Sequence, residues 1–156
     1  MKVAIAQLTA TMDKTQNLQK AADYIAKAKA AGADFVILPE MYSAPATPKS
    51  GVTPAEVAEK LDGPFVSGLA ELASEHGVYV VCGVFESIEG DENRAYNTTV
   101  FLGREGQLLH AYRKTHLYDA FSYTESDFIA PGDNPYQVVE TEFGKIGLMV
   151  CYEVRF

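Results

Sequence analysis

The stretch "DFVILPE", residues 34–40, sets four consecutive apolar residues between an acid and a Pro-Glu pair. A run this short and this continuous reads as a strand buried on both faces, closed by Pro39. Such a strand needs cover on both faces, which predicts helices packed on a sheet. Working outward, "KVAIAQL" (Lys2–Leu8) is a second strand of the same kind. Between the two, Leu18, Ala21, Ala22, Ile25 and Ala28 fall at helical spacing, with Gly32 as the stop. Thr53, Pro54 and Glu56 form a capping-box start with proline at the first helical position, for a short helix through Leu61. A second helix runs from about Pro64 to His76 and ends at Gly77, and "VYVVCGV" (78–84) is a buried strand. "NTTVFLG" and "QLLHAYRK" read as a hairpin across "REG", and "YQVVET" and "KIGLMVC" as another across "EFG". The predicted architecture is layered α/β. Residues 41–53 are its most loop-like segment, and they follow Glu40 directly.

The 156 residues are 47% hydrophobic and 22% charged, which is ordinary globular usage. Thirteen basic against twenty-one acidic residues give a net charge of −8. With no run of Lys or Arg, a chain this acidic is a poor binder of phosphate backbones, so nucleic acid is not an expected partner. No apolar stretch reaches the roughly 18–20 residues that span a bilayer, and the N-terminus lacks a signal-peptide core. The two cysteines read as cytosolic thiols rather than a disulfide framework. The expectation is a cytoplasmic protein without a membrane partner. Asn97 heads an "NTT" sequon, which carries no weight without a secretory signal.

Taken singly, the chemically capable residues have plain readings. Cys82 inside "VVCGV" is a small buried hydrophobe. Lys114 in "YRKTHLYD" has the solvated reading usual for lysine. His76, His110 and His116 share no ligand spacing with one another or with the cysteines, so no metal site is expected. Neither GxxxxGK[ST] nor GxGxxG occurs, so no nucleotide cofactor is implied. Cys151, late in "GLMVCYEVRF", stands between a nucleophile and a buried thiol.

Together, "LPEMY" at Glu40, "YRKTHLYD" at Lys114 and "GLMVCYEVRF" at Cys151 resemble the nitrilase superfamily of carbon–nitrogen hydrolases in order and spacing. Lys114 lies 74 residues after Glu40, and Cys151 a further 37. "ESDFIAPGD" (Glu125–Asp133) resembles the segment carrying that family's second glutamate. The run "KTHLYDAFSYTESDFIAPGD" is most similar to the branch with omega-amidases and deaminated-glutathione amidases. The resemblance implies an αββα sandwich, a small amide or nitrile as substrate, no cofactor, and assembly as a homo-oligomer. It implies Glu40 as general base, Lys114 as the cation facing the developing oxyanion, and Cys151 as nucleophile. Glu125 would position Lys114 or the substrate. Tyr42, Tyr152 and Arg155 are the implied substrate contacts, with the Tyr152 N–H as a second oxyanion donor. A nitrilase, an N-carbamoyl hydrolase, or an interaction module that lost its chemistry are the alternatives.

The family's second sheet is built largely after the nucleophile, and five residues follow Cys151 in this chain. The expectation is a fragment of a longer protein, ahead of a split protein or a truncated paralogue. On that expectation the 156 residues alone have little amidase activity and self-associate through an exposed sheet.

Overall fold

The computed structural model describes residues 1–133 and 136–156. The chain runs β1 (Val3–Ile5), α1 (Lys14–Ala30), β2 (Phe35–Ile37), a 3₁₀ turn (Pro48–Ser50), α2 (Pro54–Val57) and α3 (Pro64–His76). It continues through β3 (Tyr79–Ile88), β4 (Asp91–Leu102), β5 (Leu108–Arg113), β6 (Asp119–Ala120) and β7 (Tyr123–Thr124). A 3₁₀ turn (Glu125–Asp127), β8 (Val138–Thr141), β9 (Gly144–Gly147) and a last 3₁₀ turn (Cys151–Arg155) complete it.

Five strands form one sheet in chain order, β1 to β5. The first three are parallel and the last two antiparallel. Parallel neighbours need a crossover, which α1 supplies between β1 and β2, and α2 with α3 between β2 and β3. Ala21, Ile25 and Ala28 of α1 and Phe65, Val66, Leu69 and Ala73 of α3 pack on Val36, Val80, Cys82, Val100 and Leu102 of the sheet. Burying a residue such as Ile25 contributes roughly 1.5–3 kcal/mol. On the opposite face Phe35, Tyr79, Val81 and Phe101 meet Val139, Ile146 and Leu148 from the β8–β9 hairpin and the residue beyond it. The described residues thus give one helical layer, one mixed sheet, and a hairpin on the sheet's second face. Val3, Ile5 and Ile37 of that sheet stay partly exposed.

Several elements differ from the sequence reading. The capping box at Thr53 forms, but α2 ends at Val57 because Ala58 turns to an extended conformation (φ −64°, ψ 147°). The Glu59 N–H then bonds the Phe85 carbonyl, holding the segment to β3 instead of continuing the helix. The first strand is confined to Val3–Ile5. A hairpin between β3 and β4, turning at Gly90, went unread because "ESIEGDENRAY" carries too few apolar residues to signal strands. β9 stops at Gly147, so Cys151 opens a 3₁₀ turn instead of ending a strand. α3 and its left-handed stop at Gly77 (φ 57°) match the reading. Among the described residues no helix is long and apolar enough to cross a membrane.

Two contacts fix the segments that carry the site. Past β2 the chain keeps following β3: the Gly83 N–H bonds the Pro39 carbonyl at 3.1 Å and the Tyr42 N–H bonds the Gly83 carbonyl at 2.8 Å. This approach is so close that a Cβ on Gly83 would lie 2.6 Å from the Glu40 Cα and 2.7 Å from the Met41 nitrogen. The second contact is Glu153, a carboxylate buried in the Cys151–Arg155 turn. It accepts from the Val150 N–H (2.9 Å), the Thr115 N–H (2.8 Å), the His116 N–H (3.1 Å) and the Tyr112 hydroxyl (2.7 Å). Burial pushes the Glu153 carboxyl upward, but these donors outweigh it and hold it below its ordinary value of 4.5.

Each contact carries an expected outcome. Gly83→Ala forces backbone apart rather than a flexible side chain, and is expected to cost about 1–3 kcal/mol in urea unfolding. Unchanged stability would show that the β2–β3 approach tolerates a methyl group. A carboxyl depressed in the folded state adds stability that is complete above its unfolded value and is lost as pH falls through the folded one. Between pH 7 and pH 3, Glu153→Gln should therefore lose less stability than the unsubstituted chain; parallel losses would remove Glu153 from the acid response.

Candidate active site

Glu40 sits just beyond Pro39, where the segment following β2 crosses Gly83. Its carboxylate is partly exposed, and Oε1 accepts from the Asn97 side-chain amide at 2.7 Å. Lys114 follows β5 directly and is buried, its backbone N–H bonded to the Asn97 carbonyl at 2.9 Å. The Lys114 ammonium donates to both oxygens of Glu125, at 3.0 and 2.8 Å, and lies 3.7 Å from Glu40 Oε1. Glu125, buried at the start of its 3₁₀ turn, also accepts from the Tyr118 N–H at 2.7 Å. The Ala130 N–H bonds Ala95 on β4, which anchors the segment after Glu125 to the sheet.

Cys151 is exposed and adopts φ 51°, a left-handed conformation uncommon for a residue with a side chain. Met41, next to Glu40, is left-handed too (φ 53°). Burial pushes the Cys151 thiol up and Glu40 adds to the rise, while Lys114 and the Tyr152 N–H oppose it without reversing it. Burial pulls the Lys114 ammonium down, but Glu125, Glu40 and Cys151 together raise it, so it stays cationic. A carboxylate, a fixed cation and a thiol therefore act on one another electrostatically at a single place. Glu40 and Cys151, but not the buried Lys114, line a cleft of about 440 Å³ walled by Phe35, Ile37, Val81, Leu148 and Met149.

Glu40, Lys114, Glu125 and Cys151 are brought together. Tyr152 is half-buried, its ring edge-on to Tyr118 at 5.3 Å. Tyr42 is a correction. Past the left-handed turn at Met41 its side chain goes into the core, and its hydroxyl donates to the Asn17 carbonyl at 2.7 Å. It faces α1, not the cleft. Arg155 points from the exposed side of its turn and, among the described residues, makes no ion pair. Sequence reasoning missed Asn97 and Glu153. The first was read only as a sequon head, although it is 1% exposed. The second, two residues past the cysteine, had no spacing signal of its own.

The geometry has counterparts. The carbon–nitrogen hydrolase family profile matches residues 2–156. Hydrolase Rv0480c of Mycobacterium tuberculosis is 39% identical over 158 residues, covering 100% of this chain and 54% of that protein. Human omega-amidase NIT2 is 34% identical over 160 residues, covering 99% of this chain and 56% of that protein. A solved variant of the amidase from Nesterenkonia sp. AN1, showing Michael addition of acrylamide at its active-site cysteine, superposes with a TM-score of 0.83. It is 25% identical, covering 100% of this chain and 59% of that one. The chain thus spans about half the length of the curated relatives it matches. With the sheet, the grouped side chains and a family profile running from Lys2 to Phe156 all in agreement, the chain belongs to the carbon–nitrogen hydrolases of the nitrilase superfamily.

Proposed function

We propose that these residues catalyse hydrolysis of a small carboxamide through a thioester on Cys151, with release of ammonia. The observation that carries the reading is the placement of a buried, charge-stabilised Lys114 between Glu40 and Glu125, beside a thiol on a left-handed turn. The amidase and omega-amidase names among the relatives support an amide as substrate.

The steps follow from the groups present. Glu40 takes the Cys151 proton as the sulfur attacks the carbonyl carbon, which matters because the thiol is held up and starts protonated. Negative charge moves to the substrate oxygen, where the Lys114 ammonium and the Tyr152 N–H offer donors. Two of the three Lys114 protons are committed to Glu125, which leaves one direction of donation for the oxyanion. Glu40 returns the proton to the departing nitrogen, and ammonia leaves. Water, deprotonated by the same carboxylate, adds to the thioester carbon, and the C–S bond breaks to give the acid and the thiol.

Three outcomes are expected. Iodoacetamide should modify Cys151 and spare Cys82, which is fully buried and whose thiol is driven far up by that burial. Faster labelling of Cys82 in peptide maps would remove Cys151 as the nucleophile. Short carboxamides, nitriles and N-carbamoyl amino acids, assayed for ammonia beside Cys151→Ala, should show release from the carboxamides above that background, slow as the sequence leads one to expect of these 156 residues alone. Lys114→Ala should lower it about 10²–10³-fold, as losing one oxyanion donor does. Release from nitriles alone would redirect the reading, and equal release from the Cys151→Ala chain would end it.

A further inference from the structure

Asn97 is a buried asparagine that the steps above do not use. It lies on β4 opposite Phe85 of β3, and its backbone carbonyl accepts the Lys114 N–H at 2.9 Å. Its side chain donates to Glu40 Oε1 at 2.7 Å, while its own Oδ1 is buried without a hydrogen-bond partner among the described residues. A buried acceptor without a protein partner is costly and calls for an explanation, which the contact of the same side chain with Glu40 offers. The orientation is chemically forced: turned over, Oδ1 would face a carboxylate oxygen and meet only repulsion.

From this we infer that Asn97 is a positioning residue for Glu40, fixing Oε1 so that Oε2 is the oxygen that exchanges protons with Cys151 and with water. Oε1 lies between the Asn97 amide and the Lys114 ammonium. Oε2 accepts no hydrogen bond among the described residues, so it holds the free lone pairs. In the hydrolytic half of the cycle a water O–H breaks, its proton goes to Oε2, and its oxygen bonds to the thioester carbon. The C–S electron pair returns to sulfur, which recovers the proton from Oε2. One strand residue thus aligns the base through its side chain and the oxyanion cation through its backbone. The inference rests on the reading of Glu40 as the base.

The test follows an acetyl thioester on Cys151, formed with p-nitrophenyl acetate and read by intact mass, and measures its decay. Asn97→Asp keeps the shape and removes the donor, but the introduced carboxyl regains one when protonated. The other titratable groups facing this point are Glu40, Lys114, Glu125, Cys151 and the Tyr123 hydroxyl; the Glu86–Arg113 pair is satisfied with Thr98. Two adjacent carboxylates share a proton, so the introduced group donates at lower pH and repels at higher pH. Decay in Asn97→Asp should be at least tenfold slower than in the unsubstituted chain at about pH 8, and should approach it near pH 5.5. Asn97→Ala should be slow at both, and decides alone if Asn97→Asp unfolds; continued protection of Cys82 from iodoacetamide reports an intact core. Equal decay in all chains overturns the inference, as does slowing in Asn97→Asp that is independent of pH. Glu40→Gln separates the two levels: if its thioester decays at the unsubstituted rate, the reading of Glu40 as base falls, whatever Asn97 does.

Discussion

The Lys114–Glu125 pair is the interaction on which the site depends. Both groups are nearly inaccessible to water, and an ammonium so placed without a partner would lose its proton. Glu125 prevents this by accepting twice from Lys114 and once from the Tyr118 N–H, so its own charge is answered on more than one side. A buried pair of this kind is weak evidence for stability, because desolvation offsets much of the attraction. Its value is positional. A lysine at the end of β5 becomes a fixed charge, and Glu40 and Cys151 are arranged around it.

Strained backbone flanks that charge: at Cys151 itself, and at the residue after Glu40. Met41 and Cys151 each adopt a left-handed conformation without being glycine, and such residues persist only where the surroundings over-determine them. For Met41 the determinant is the close pass of Gly83 under Glu40. For Cys151 it is Glu153, which ties the Val150 N–H on one side to the Thr115 and His116 N–H groups on the other. Those last two residues directly follow Lys114. The turn that presents the thiol and the strand end that presents the cation are thereby fastened to one carboxylate.

What the sequence disclosed follows from which forces are local. α3 was legible to the residue because helical spacing, Pro64 and Gly77 all act within a turn or two. Glu40, Lys114, Glu125 and Cys151 were legible through motifs, which record chemistry rather than contacts. Tyr42 was misread because adjacency to Glu40 in the chain says nothing of side-chain direction after a left-handed residue. Asn97 and Glu153 were illegible because their partners lie 57 and about 38 residues away in sequence. α2 was overextended because its end is set by a hydrogen bond to β3, not by its own residues.

Charge and partial burial together set the resting state of the thiol. A carboxylate and an ammonium beside one sulfur oppose each other, and burial breaks the tie toward the neutral thiol. A thiolate held permanently by Lys114 would make Glu40 redundant as a base. Under the proposed reading, a thiol held up by burial and by Glu40 makes the base necessary, and the ammonium keeps its free proton for the substrate oxygen. Under the proposed reading, attack and proton transfer are then coupled: charge leaves Glu40 as it appears on the oxyanion, and the Lys114 cation faces both positions. The buried pair with Glu125 is what keeps that cation in place while the negative charge moves past it.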